Sequence, residues 1–85
     1  MSRAGGPEIL EGRVNWRTLI DDLISRGWDL DEIAESCLVT RPAVLGWHLY
    51  DREPKHARGE RLVALWMAQT GRKRESLPIL RRSTE

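Results

Sequence analysis

The sequence predicts an all-α fold, a compact four- to five-helix bundle, and three observations point there. Apolar residues recur at three- and four-residue spacing in four stretches between Asn15 and Gly71. Capping and breaking residues punctuate those stretches: Asn15, Asp29 and Thr40 precede helices, while Gly27, Pro54 and Gly71 follow them. No apolar–polar alternation lasts long enough to predict a strand, and no internal repeat is visible. At 85 residues the chain has room for one modest core and is too small for most enzyme clefts.

Residues 1–13 contain Gly5, Gly6, Pro7 and Gly12 without sustained periodicity and read as a flexible leader. A first helix follows from about Trp16 to Arg26, capped by Asn15. Trp16, Leu19, Ile20, Leu23 and Ile24 form its apolar stripe, and Arg17, Asp21, Asp22 and Ser25 face away. Gly27 suits a left-handed stop, after which Trp28 folds back onto the same apolar face.

The stretch from Asp29 to Trp47 has the spacing of a helix-turn-helix, two short helices joined by a tight turn. Asp29 caps the first, and Glu32 three residues on completes a variant of the capping box. Leu30, Ile33, Ala34 and Cys37 fall on one face, and the small Ala34 lets another helix cross closely. Leu38 and Val39 carry the turn, with Val39 plugging the angle between the helices. Thr40 caps the next helix, Pro42 is tolerated in its first turn, and Val44 and Trp47 point inward. Asp51-Arg52-Glu53-Pro54 is a turn that stops this helix. A fourth helix runs from about Ala57 to Thr70, with Leu62, Leu65, Trp66 and Gln69 on one face and Val63 and Met67 widening it.

The domain proper therefore spans residues 14–71. Residues 72–85 form a basic tail around the apolar island Leu77-Pro78-Ile79-Leu80, a candidate dimer contact. Trp16, Trp47 and Trp66 are in phase with apolar stripes, which favours core packing over base stacking on exposed rings.

Charge is divided unevenly. Residues 1–37 hold four Lys/Arg against eight Asp/Glu, and residues 38–85 hold ten against five, which leaves +1 overall. That asymmetry permits the basic face a nucleic-acid binder needs, although a mixed soluble surface would look the same. A single cysteine excludes a disulfide framework and a cysteine-based zinc site, and no apolar run approaches a membrane span. A cytoplasmic protein is expected. His48 and His56 lie across a turn from each other, Cys37 sits on an apolar face, and no phosphate loop, zinc motif or nucleophile arrangement occurs. Catalysis, a cofactor and a metal are accordingly not expected.

From Trp16 to Leu65 the chain resembles the lambda-repressor/Cro-like helix-turn-helix DNA-binding regulators of phages and prophages. The matching residues are Ile33-Ala34, Val39-Thr40, Val44, Trp47, Pro54 and Gly59-Glu60-Arg61-Leu62. The resemblance implies a transcriptional regulator, repressor or activator, that binds double-stranded DNA through its third helix, often as a homodimer on a palindromic operator. Carried across by position, it places Arg41, Pro42, Leu45 and Gly46 in the groove, with His48 and Leu49 further along. Thr40 would touch a phosphate, and Arg52, Lys55, His56 and Arg58, with Arg61, would lie along the DNA backbone.

Arg41 is the strongest reader, since a guanidinium can donate two hydrogen bonds to guanine. Pro42 and Leu45 offer only apolar contact, for example to a thymine methyl group, and Gly46 lets the backbone come close. Two features depart from the family. Leu38 stands where glycine is common, and a left-handed conformation there costs roughly 1–2 kcal/mol, so either the turn differs or the core compensates. Asp29, Asp31, Glu32 and Glu35 form an acidic run that is either a solvated helix start or a surface repelling phosphate. Arg72-Lys73-Arg74 and Arg81-Arg82 could track phosphates or simply aid solubility. The alternative function is a protein-interaction module, binding a host protein through Pro42, Leu45 and Leu49 or through the tail.

Overall fold

A computed structural model of the chain describes residues 12–81. In order, the elements are β1 (Gly12–Val14), α1 (Trp16–Ser25), α2 (Leu30–Cys37), α3 (Arg41–Leu49), α4 (His56–Thr70), a 3-10 turn (Arg74–Ser76) and β2 (Ile79–Arg81). The four helices pack together, with α1 and α2 each lying against both α3 and α4.

Each of the first three helices starts where a side chain satisfies an orphan backbone N–H. The Asn15 carboxamide accepts from the Thr18 N–H at 3.3 Å and opens α1. Asp29 accepts from the Glu32 N–H at 2.8 Å, and Glu32 accepts from the Asp29 N–H at 3.0 Å, so the capping box of α2 is complete. Thr40 accepts from the Ala43 N–H at 3.4 Å and opens α3, with Pro42 in the first turn. Between α2 and α3 the chain reverses through Leu38, which is left-handed at φ 61° and ψ 42°. The turn is therefore left-handed at this position without glycine. It is closed by the Val39 N–H, which donates to the Ala34 carbonyl at 3.0 Å, while the half-buried Val39 side chain packs on the core.

The core comprises Leu19, Ile20 and Leu23 of α1, Ile33, Ala34 and Cys37 of α2, Val44 and Trp47 of α3, and Leu62, Val63 and Trp66 of α4. Each fully buried aliphatic side chain contributes roughly 1.5–3 kcal/mol. Trp47 and Trp66 are buried, and Trp16 and Trp28 pack against the cluster from its edge, so these rings serve packing. Gly59 is buried because the Trp16 ring and Pro54 lie on α4 there; a Cβ would stand 3.1 Å from Trp16 Cη2.

Several expectations need correction. Ile24 is 40% exposed. It lies a 100° step past Leu23 in the last turn of α1, off the arc that the other helices cover. Gln69 is likewise exposed. Arg17, Asp21 and Asp22 do not simply face away, because each hydrogen-bonds another helix: Arg17 and Asp21 reach α3, and Asp22 reaches α4.

The bundle also carries an antiparallel strand pair that periodicity could not reveal. Gly12, Arg13 and Val14 oppose Arg81, Leu80 and Ile79. The Asn15 N–H extends the pair by donating to the Pro78 carbonyl at 2.8 Å. Three-residue strands are too short to show alternation, and backbone hydrogen bonds hold them. Residues 72–81 thus run back along the domain: Arg74 grips Glu60 with a two-pronged pair at 3.0 and 2.7 Å, and Leu77 packs on the core. Of the flexible leader expected over residues 1–13, Gly12 and Arg13 instead belong to β1, tied by backbone hydrogen bonds to β2; its residues 1–11, and the end of the basic tail with Arg82, lie outside the described residues. No helix among the described residues is long and apolar enough to cross a membrane.

Candidate nucleic-acid interface

With Val44 and Trp47 buried, α3 turns the opposite side outward. Arg41 and Pro42 are exposed, Leu45 is half-buried, and Leu49 is 49% exposed one turn later. The three apolar members, Pro42, Leu45 and Leu49, follow the i, i+3, i+7 spacing of a single stripe.

Two other expected base readers are occupied within the protein. Gly46 is buried beneath the aliphatic stem of Arg52, and a Cβ there would meet Arg52 Cδ at 3.1 Å. Its carbonyl accepts from the N–H groups of Tyr50 and Arg52, at 3.0 and 3.1 Å. His48 Nε2 lies 2.7 Å from Asp21 Oδ1, and the His48 carbonyl accepts from Arg17 Nε at 2.8 Å. The last turn of α3 is thereby clamped to α1. Of the five residues expected to read bases, the structure groups Arg41, Pro42 and Leu45 on one outward face. Gly46 and His48 instead position the helix.

The expected phosphate contacts cluster more simply. Thr40 is exposed, and with its oxygen already accepting from Ala43 its hydroxyl hydrogen remains available to donate. Arg52, Lys55, His56 and Arg58 are all exposed along the segment from the end of α3 to the first turn of α4. Among the described residues, none of these four forms an ion pair. The first turn of α4 has no side-chain cap and no acidic residue, so the helix dipole adds to their positive field. The start of α2 is the reverse case, since its own carboxylates Asp29 and Glu32 already satisfy it.

Arg41 begins α3, beside α2. Its Nε is 3.9 Å from Asp31 Oδ1, and both side chains are well exposed. Such a loose surface pair is worth at most about 1 kcal/mol, so the guanidinium is readily surrendered to another partner. Comparisons with protein-family models, with curated proteins and with solved structures returned no match.

Burial pushes the Cys37 thiol up to about 11, with Arg61 pulling weakly the other way, so it stays protonated and poorly nucleophilic at neutral pH. Among the described residues, no three His, Cys, Asp or Glu side chains cluster to hold a metal ion. An open cleft of about 340 Å³ lies between the strand pair and the α3–α4 segment, where Arg13 pairs with Glu53 at 3.1 Å. Sequence reading missed the positioning residues Arg17, Asp21 and Asp22. Their only signal was polarity on a helix face, which solvent explains equally well.

Proposed function

We propose that the chain is a DNA-binding transcriptional regulator of helix-turn-helix type, seating α3 in the major groove of double-stranded DNA. The observation that carries this reading is the outward, exposed Arg41 at the start of α3 together with the exposed row Arg52, Lys55, His56 and Arg58 beyond its end, four residues that form no ion pair among the described residues. On this reading the Arg41 guanidinium would read base edges while Arg52, Lys55 and Arg58 anchor phosphates, combining sequence readout with backbone positioning. The resemblance to lambda-repressor/Cro-like regulators adds a homodimer on a palindromic operator and a phage or mobile-element setting.

An anisotropy titration against the DNA flanking the gene, at two salt concentrations, tests the proposal. Binding should weaken steeply with salt, and Arg41→Ala should cost about 5- to 150-fold, the equivalent of roughly 1–3 kcal/mol. The exposed apolar side chains Leu38, Leu49 and Tyr50 favour a second reading, a protein-interaction surface. Tight binding of a protein partner that survives Arg41→Ala and ignores added DNA would select that reading instead.

A further inference from the structure

We infer that the outward face of α3 recognises the C5 methyl group of a pyrimidine in the major groove, a chemistry supplied by thymine or by 5-methylcytosine. The inference rests on the DNA-binding reading and deepens it. Beyond Arg41 and the capping Thr40, assigned to a phosphate, this face offers the groove no free hydrogen-bonding side chain: Gly46 has none and lies under Arg52, and His48 is held by Asp21. What remains is the stripe Pro42, Leu45 and Leu49, all of it carbon. The cations Arg52, Lys55 and Arg58, exposed beyond the end of α3, suit a polyanionic partner, which favours a groove over an apolar protein surface as the place this stripe docks. Within the groove, the pyrimidine C5 methyl is the apolar group that distinguishes one base pair from another. A methyl buried against leucine leaves water, which is worth about fourfold in affinity.

The test begins with selection of binders from a pool of randomised 20-base-pair duplexes. In the enriched duplex each thymine is replaced singly by deoxyuridine, which removes only the methyl. At one or two positions per bound subunit the affinity should fall about fourfold. Placing cytosine there should also weaken binding, and 5-methylcytosine should recover about fourfold over cytosine if the methyl itself is read, whereas recovery by thymine alone assigns the contact to thymine. Leu45→Ala and Leu49→Ser, with folding checked by tryptophan fluorescence, should abolish the thymine–uracil difference while leaving the salt dependence unchanged. If a duplex binds in an Arg41-dependent, salt-sensitive manner yet tolerates every uracil within twofold, the methyl inference is wrong and the DNA-binding reading stands. If no duplex is enriched and no salt-sensitive binding appears, both fall together.

Discussion

Leu38 holds φ 61° and ψ 42° with 57% of its surface exposed, so little packing offsets the strain of its own backbone. The compensation comes from its neighbour Val39, whose backbone and side chain close the turn. Leu38→Gly should therefore stabilise the domain by about 1 kcal/mol, the relief of left-handed strain exceeding the extra entropy glycine loses on folding. For a domain of this size that corresponds to a Tm rise of about 4–8 °C, readable by thermal denaturation. An unchanged or lower Tm would mean that the Leu38 side chain contributes packing that its exposure hides. The caps at Asn15, Asp29 and Thr40 were readable in the sequence because each bonds a residue three positions away. His48, Asp21, Asp22 and Trp66 were not, because their partners lie 27 and 44 residues apart. Asp22 Oδ2 accepts from the Trp66 indole N–H at 2.9 Å, a bond that only the packed fold creates.

Helices α1 to α4 were readable as elements because each has an apolar face with the right period and a stop signal. The strand pair was invisible, since its stability comes from backbone bonds between segments more than sixty residues apart and from the anchoring of residues 72–81. That anchoring has a titratable part. The two hydrogen bonds from Arg74 hold the Glu60 carboxyl below its ordinary value. A lowered folded-state value means that the contribution is complete above the unfolded carboxylate range, near 4.3, and disappears as pH falls through the folded value. Glu60→Gln should accordingly loosen residues 72–81 at pH 7, seen as faster amide exchange there. The difference from the unsubstituted protein should shrink as pH falls below the unfolded carboxylate range and vanish once pH is below the lowered folded-state value. A difference independent of pH would show that Arg74 holds this segment by packing rather than by charge.

The separation of charge along the chain becomes a separation in space across α3. The acidic start of α2 meets Arg41 through Asp31, whereas the cationic segment from Arg52 to Arg58 follows its other end. On the DNA-binding reading these two regions act in opposite senses. Each cation that neutralises a phosphate contributes about −0.9 to the slope of log affinity against log salt, so Lys55→Gln and Arg58→Gln should each lessen that slope by about one. Asp31 competes for Arg41 and repels the backbone, so Asp31→Asn should tighten binding about two- to fivefold at low salt, with the gain shrinking as added salt screens it. The same substitution removes a favourable carboxylate from the first turn of α2, at a cost of roughly 0.3–1 kcal/mol in folding stability. Affinity and stability should therefore move in opposite directions, a result that general loosening of the domain cannot produce. Weaker binding by Asp31→Asn would instead assign Asp31 the task of holding Arg41 in its reading position, and a parallel titration of Arg41→Ala in the Asp31→Asn background would then show no further loss.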